Sequence, residues 1–186
     1  MPMPYALAKR MFDSRRYAEA FALYEELAKS GDPRCQVLLG WMYYEGLGTH
    51  KDTDRGLSCF KEAANANSSE GAFYVGKCLV MAGHYQEAFG WFQKAATQEY
   101  GPALLWLGLA HVRGLGVSVN ICMGVPYLER AARTGNFLAR RELALLMIRG
   151  KLGISKILEG VVLLPYAIVA ALVSSISRGH SDKLMG

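Results

Sequence analysis

The stretch Leu39–Gly48, LGWMYYEGLG, returns 68 residues later as Leu107–Gly116, LGLAHVRGLG. The match continues beyond these segments at the same offset, with Gly56, Phe60, Ala63 and Ala64 opposite Gly124, Leu128, Ala131 and Ala132. Self-similarity over such a distance is typical of stacked helical hairpins, because one hairpin alone cannot bury its apolar face. The sequence therefore predicts a repeat architecture, and with it a binding scaffold.

The repeat can be followed through most of the chain as three columns of equivalent residues. The first column is small: Gly40, Gly76, Gly108 and Ala144. The second is also small: Ala20, Gly56, Ala88, Gly124 and Gly160. The third is large and apolar: Tyr24, Phe60, Phe92, Leu128 and Leu164. Closely packed helices need a small residue where their backbones meet and a large one beside it to fill the groove.

The columns predict an all-α fold, a right-handed α-solenoid of about five helical hairpins. The first helices are expected near residues 4–13, 34–46, 70–83, 103–114 and 138–150. The second helices are expected near residues 17–30, 54–66, 86–98, 122–134 and from about 156 onward. We interpret residues 1–156 as the repeat domain and residues 157–186 as an apolar C-terminal helix with a short tail.

The hairpins have two kinds of turn. Residues 13–20 and 82–88 form tight turns and resemble the tetratricopeptide repeat. The Gly-Leu-Gly loops at residues 46–48 and 114–116, with Leu-Gly in the first helix and Ala-Ala in the second, resemble the Sel-1-like repeat family. This resemblance spans roughly residues 5–168 and weakens in the fifth hairpin. It implies an α-solenoid that holds other proteins together, often in signalling complexes or bacterial envelope assembly, and it brings no catalytic residues.

The charge of the chain is unevenly distributed. Residues 1–100 carry 11 Lys and Arg against 12 Asp and Glu, whereas residues 101–186 carry 10 against 4. The basic half contains no nucleic-acid-binding motif and no exposed aromatic interleaving, so we expect no nucleic-acid partner. The four cysteines, which form no Cys-x-x-Cys pair, are expected to be mostly small core residues. The N-terminus does not resemble a secretory signal.

Residues 160–177 form an uncharged segment of 18 positions. A helix of this length reaches about 27 Å, close to the thickness of the bilayer core. The segment is therefore a candidate to enter or lie against a membrane, with the solenoid on the cytoplasmic side because more Lys and Arg precede the segment than follow it. The candidate membrane or partner residues are Val161, Val162, Leu163, Leu164, Ile168, Val169, Leu172 and Val173. The alternatives are packing against a partner or a second copy, and burial within the monomer.

The sequence contains no recognisable catalytic or metal-binding motif. The four histidines are far apart and none has the spacing of a metal motif. The Gly-x-Gly pairs follow predicted helices and lack the third glycine of a dinucleotide-binding loop, so we expect them to provide turns at positive φ. We predict a protein that is not an enzyme and has no cofactor.

The first helices of tetratricopeptide-type solenoids line the concave side, and the resemblance transfers this role to positions around the Leu-Gly pairs. These positions are Arg34, Val37, Trp41, Tyr44, Glu45, Phe73, Lys77, Val80, Met81, Leu105, Leu109, Val112, Arg113, Arg141, Leu145, Ile148 and Arg149. The main groove residues are expected to be Trp41, Tyr44, Phe73, Lys77, Met81, Leu109, Arg113 and Arg141. Such a groove suits a helix or extended peptide with an apolar face and acidic residues for Arg113 and Arg141. The alternative is that Trp41, Phe73 and Met81 only fill gaps between hairpins.

Two functions follow from these patterns. The first is an adaptor tethered to the cytoplasmic face of a membrane, which holds a membrane enzyme or transporter, with bacterial surface-polysaccharide assembly suggested by the resemblance. The second is a soluble cytoplasmic adaptor whose apolar C-terminal helix is an oligomer or client interface.

Overall fold

The computed structural model describes residues 4–181, with side chains up to Val169 apart from that of Ile154. Within this range the chain forms ten α-helices, one 3-10 turn (Ile154–Lys156) and no strand. The helices are α1 (Pro4–Asp13), α2 (Tyr17–Ala28), α3 (Pro33–Glu45), α4 (Thr53–Asn65), α5 (Ser69–Met81), α6 (Tyr85–Ala96), α7 (Gly101–Arg113), α8 (Ile121–Arg133), α9 (Phe137–Ile148) and α10 (Ile157–Ser181). The all-helical prediction is confirmed, and every predicted helix end lies within two residues of the observed one.

The helices are grouped into two compact units, which we call the N-terminal unit (residues 1–98, containing α1 to α6) and the C-terminal unit (residues 99–186, containing α7 to α10). Inside each unit, helices adjacent in sequence pack against each other. The closest pairs include α3 with α4, α5 with α6, α7 with α8, and α9 with α10. These pairs are the second to fifth predicted hairpins.

The small columns lie where paired helices touch. A Cβ added at Gly108 would come within 2.6 Å of the Leu128 side chain, and one added at Gly76 would come within 2.6 Å of the Phe92 ring. Leu128 and Phe92 are buried members of the third column. The predicted pairing of small and large residues is therefore confirmed, and it is the shared packing device of both units.

The Gly-Leu-Gly loops end α3 and α7 in the same way. Gly46 and Gly114 adopt left-handed conformations, with φ values of 76° and 75°, and their amides donate to carbonyls of the last helical turn. Side chains with a Cβ rarely adopt this conformation, which explains the glycine at both positions. The helix that follows each loop begins at a polar cap: Asp52 accepts from the amide of Arg55, and Asn120 from that of Met123.

The last helix differs from the others in length and exposure. Helix α10 has 25 residues, whereas α9, against which it packs, has 12. Gly160 and Ala167 are buried in the contact with α9, as expected for the second helix of a fifth hairpin. In the part of the chain that the structure describes, no helix has the combination of length and apolarity required to cross a bilayer.

Candidate functional site

A cleft of about 340 Å³ opens between α3 and α5 in the N-terminal unit. Its lining residues are Trp41, Tyr44, Glu45, Phe60, Phe73, Tyr74, Lys77, Cys78 and Met81. Five of the eight predicted groove residues, Trp41, Tyr44, Phe73, Lys77 and Met81, thus lie together around one cavity. The wall is mainly aromatic, as is common in sites that hold an apolar side chain of a partner.

The aromatic wall is held by ring contacts among three helices. Trp41 stacks on Tyr44 of the same helix, with ring centroids 6.2 Å apart, and contacts Tyr74 of α5 at 5.5 Å. Tyr74 in turn stacks on Phe60 of α4 at 4.9 Å. Rings that contact each other in this way hold one another's orientation, so the wall of the cleft is formed before any partner arrives.

The rim of the cleft combines a flexible apolar side chain with two charges. Met81 is 70% exposed, and its Sδ accepts a hydrogen bond of 2.9 Å from the Tyr44 hydroxyl. Glu45 and Lys77 also line the cavity, with opposite charges. Methionine adapts easily to different apolar shapes. This rim therefore suits an apolar residue of a partner that has a positively or a negatively charged residue next to it.

Three hydroxyl and thiol groups of the wall favour their neutral forms. Burial raises the pKa of the Tyr44 and Tyr74 hydroxyls and of the Cys78 thiol. A thiol with a raised pKa is a poor nucleophile, because the reactive form is the thiolate. The chemistry of the cleft therefore favours binding of apolar groups.

Some predicted groove positions belong to the core. Val37, Phe73 and Leu105 are 3%, 9% and 6% exposed; of these, Phe73 still contributes to the base of the cleft. They were expected on an open floor, and the correction is that neighbouring helices cover them. Trp41 is half-buried, so it serves both packing and the surface. That all eight main groove residues share one surface remains a prediction, because three of them lie in the C-terminal unit.

Those three residues are Leu109, Arg113 and Arg141. Both arginines contact the same carboxylate, that of Glu142, which was not predicted from the sequence. Arg113 Nη2, at the end of α7, lies 3.1 Å from Glu142 Oε2 on α9. Arg141 Nη2 lies 3.0 Å from Oε1 of the same Glu142. Glu142 is only 8% exposed, whereas both arginine side chains are about half exposed. The arginines were expected to pair with acidic residues of a partner, but each already has an intrachain carboxylate oxygen.

The position of Glu142 in the repeat is informative. Counted from the first column, it is equivalent to Leu38, Tyr74 and Trp106, which are all large and apolar. A single acidic residue at a position that is otherwise apolar was the signal available in the sequence. We call the cluster of Arg113, Arg141 and Glu142 the arginine fork.

Helix α10 carries more exposed large apolar side chains than any other helix in the described part of the chain. Leu158, Val161, Val162, Ile168 and Val169 are exposed, and Leu158 and Val162 reach 79% and 75%. Leu163 and Leu164 are half-buried, so they belong partly to the contact with α9. The side chains of Leu172 and Val173 lie outside the described residues. Four of the eight candidate membrane or partner residues, Val161, Val162, Ile168 and Val169, therefore lie at the surface, and their contact with a membrane or partner remains a prediction.

Two further expectations concern cysteines and metals. Cys35 is buried in the core, Cys59 and Cys78 are half-buried and pack against core residues, and Cys122 is exposed. The expectation that the cysteines are mostly core residues is therefore confirmed for Cys35, met in part by Cys59 and Cys78, and wrong for Cys122. Among residues 4–181, no group of three or more His, Cys, Asp or Glu side chains is arranged to hold a metal ion.

Comparison with solved structures shows the same fold elsewhere. A Sel1 repeat protein from Oxalobacter formigenes superposes with a TM-score of 0.73 at 23% identity, over 81% of this chain and 61% of that one. The present chain therefore spans less than two thirds of that protein. A structure of MamA gives a TM-score of 0.59 at 17% identity over 90% of this chain and 96% of that one, and a MamA RS-1 ArsTM double mutant gives 0.61 at 16% identity over 91% and 94%.

A family model confirms the repeat assignment from the sequence. The model described as Sel1 repeat matches residues 13–32, 33–68, 70–100 and 101–136, which is well over half of the chain. The matches end before α9 and α10, in agreement with the weaker resemblance of the fifth hairpin. With both Gly-Leu-Gly loops and the small columns in place, the chain belongs to the Sel1 repeat family.

Proposed function

We propose that the protein is a non-enzymatic adaptor that binds a partner through the aromatic cleft between α3 and α5. Sel1 repeats support a protein–protein interaction scaffold, and the cleft is a formed apolar cavity at the surface of the N-terminal unit. The observation that carries the proposal is the convergence of Trp41, Tyr44, Tyr74 and Met81 on one open cavity. A helix or extended segment of the partner would insert an apolar side chain there.

The cleft explains why a few residues would dominate binding. Aromatic residues in well-packed, desolvated pockets are the usual hot spots of interfaces. Trp41 is half-buried, so most of its ring is already ordered. Binding would therefore require little further loss of side-chain freedom at this residue.

The cleft can be tested with a labelled amphipathic helical peptide that has leucines on one face, measured by fluorescence anisotropy. We expect Trp41→Ala to weaken binding by about 2 kcal/mol, roughly 30-fold. The matched control is Tyr85→Ala, because Tyr85 is an exposed aromatic residue of α6 that does not line the cleft. Equal affinity of the Trp41 variant and the wild type, with both folded by circular dichroism, would contradict the proposal.

A second part of the proposal concerns attachment to a membrane. The exposed apolar residues of α10 are accompanied by Arg149, Lys151 and Lys156, all of which are exposed. An apolar helix face with nearby cations fits the surface of an anionic bilayer. We propose that α10 lies on the cytoplasmic face of a membrane and that the partner is a membrane-associated enzyme or transporter, such as one of surface-polysaccharide assembly.

Flotation with vesicles that contain anionic lipid tests this attachment. We expect the wild type to float with the vesicles. The triple variant Leu158→Gln, Val162→Gln, Val169→Gln should stay at the bottom of the density gradient with unbound protein. A control with Val119→Gln and Met123→Gln, two exposed apolar residues elsewhere in the C-terminal unit, should float like the wild type. A wild type that does not float, and instead forms a dimer abolished by the triple variant, would favour the soluble adaptor in which α10 is an oligomer interface.

A further inference from the structure

The arginine fork has an unusual balance of charge and exposure. Glu142 contributes one negative charge from a nearly buried position, and Arg113 and Arg141 contribute two positive charges from half-exposed positions. The cluster therefore presents a net charge of one positive unit toward solvent. Its negative member is held inside, so the groups that a ligand meets first are guanidinium groups.

The two guanidinium groups also keep most of their hydrogen-bonding capacity. Each of the two close contacts to Glu142 is made by one Nη2 atom. A guanidinium has five N–H donors in a planar fork that matches a carboxylate. Both arginines therefore have donors left for an incoming anion, and bidentate pairing with a carboxylate is their strongest interaction.

We propose that the arginine fork binds the carboxylate of an acidic side chain in a partner segment, and that Glu142 is its positioning residue. This inference rests on the proposed function, because it supplies the second contact of the same adaptor. The apolar residues Leu109 and Leu145 are half-buried and lie about one helical turn from Arg113 and Arg141 on the same two helices. The ligand is therefore an amphipathic acidic segment of a protein.

Glu142 can position both arginines because a carboxylate has two equivalent acceptor oxygens. Oε2 faces Arg113 and Oε1 faces Arg141. In glutamine an NH2 group replaces one of these two oxygens, and a donor cannot accept from the arginine that it faces, so in the observed geometry the amide can hold only one of the two arginines. Glu142→Gln therefore removes half of the positioning while it raises the net charge of the cluster by one unit. Positioning and simple charge attraction thus predict opposite effects of the same variant.

The experiment uses the full chain and two labelled helical peptides, one with leucines on one face and glutamates beside them, the other with glutamine in place of each glutamate. We expect the glutamate peptide to bind at least 10-fold more tightly. We expect Arg113→Gln and Arg141→Gln each to weaken its binding about 10-fold and Glu142→Gln to weaken it about threefold. The control is Arg133→Gln, an exposed arginine of α8 in the same unit that belongs to neither the cluster nor the predicted groove, and it should change binding less than twofold.

Several outcomes would overturn the inference. Tighter binding by Glu142→Gln would mean that Glu142 opposes the ligand and does not position the arginines. If the two peptides bind with equal affinity while Trp41→Ala still weakens binding, the arginine fork is not a binding site and the proposal for the aromatic cleft stands. Binding of neither peptide would contradict the adaptor itself. As a measurement independent of affinity, the side-chain Nε–H signals of Arg113 and Arg141 in the NMR spectrum should shift with the glutamate peptide, and absence of shifts would also exclude the site.

Discussion

The helix pairs α3/α5 and α7/α9 use equivalent positions of the repeat for different chemistry. In the N-terminal unit, the positions two and three before the first column are Tyr74 and Phe73, and they join an aromatic wall. In the C-terminal unit, the same positions are Glu142 and Arg141, which form the arginine fork with Arg113. The repeat thus fixes where side chains are presented, because the small columns fix the helix contacts, while the residues at the flanking positions decide what is recognised.

The difference has a physical basis in how each cluster tolerates burial. Aromatic rings gain free energy when they leave water. A buried carboxylate loses hydration and is tolerated only when charged partners compensate for it. Glu142 has two such partners, and both remain half exposed so that water still solvates them. The aromatic wall and the arginine fork should therefore respond differently to substitution, whereas the small columns should respond alike in both units.

The largest effect is expected where the two units are alike. Gly76→Leu and Gly108→Leu should each destabilise the protein by about 3 kcal/mol, because a side chain at either position meets the third column at less than 3 Å. Chemical denaturation followed by circular dichroism measures the loss. Gly90→Leu is the control: it is an exposed glycine inside α6 with nothing within 4 Å, so leucine there should leave stability unchanged or improve it. Similar losses at all three positions would remove the special role of the first column.

An intermediate effect is expected when the chemistry of one unit is placed in the other. Tyr74→Glu puts a carboxylate against Trp41 and Phe60, and should reduce the free energy of unfolding at pH 7 by about 3 kcal/mol. Part of the loss should return near pH 4, since the protonated acid is tolerated better. Glu142→Leu restores the residue type of Leu38 and should reduce stability by only about 1 kcal/mol, because Arg113 and Arg141 can be rehydrated. Tyr74→Phe, the control, keeps the ring and should stay close to wild type.

If Tyr74→Glu and Glu142→Leu reduce the free energy of unfolding equally, the distinction between the aromatic wall and the arginine fork is wrong. The comparison requires urea unfolding of all three variants at both pH values. A loss for Tyr74→Glu that does not depend on pH would indicate that the missing ring, and not the buried charge, causes the effect.

The smallest effect concerns the caps that begin α3 and α9. Asp32 accepts from the amide of Arg34, and Asn136 performs the same role for Leu138 and Ala139. The Arg34 side chain holds the pKa of Asp32 below its ordinary value. Because the folded pKa is lowered, the stabilisation is present above the unfolded pKa of about 3.9 and is lost as pH falls through the folded pKa.

Asp32→Ala should therefore lower stability by about 0.5–1 kcal/mol at pH 7 and by less near pH 3. Asp32→Asn is the control, since asparagine caps helices without a titrating charge, and its stability should vary less with pH than that of the wild type. Asn136→Ala should show a loss that does not depend on pH in this range. A strong pH dependence of the Asn136 variant relative to wild type would contradict this division between a charged and a neutral cap.

The accuracy of the sequence predictions differs between the fold and the site. Helix ends were predicted closely because Gly46, Gly114 and the polar caps act locally, through φ and single hydrogen bonds. Five groove residues were predicted to share a surface, and they do line one cleft. Phe60, Tyr74 and Cys78 were missed as lining residues, because whether a side chain closes a core or opens onto a cavity depends on its neighbours from other helices. Glu142 was also missed, although an acidic residue at an otherwise apolar position of the repeat was a signal in the sequence; its contacts with two arginines depend on neighbouring helices.

The sequence by itself determined the family, the number and position of the hairpins, and the columns at which their helices meet. These features repeat at fixed spacing and depend on the size and backbone freedom of single residues. Only the tertiary structure decided that Phe73 is covered while Met81 stays exposed, and that Glu142 contacts both of the arginines that were expected to pair with a partner alone. Burial and ion pairing are properties of several helices together, so residue spacing along the chain does not determine them.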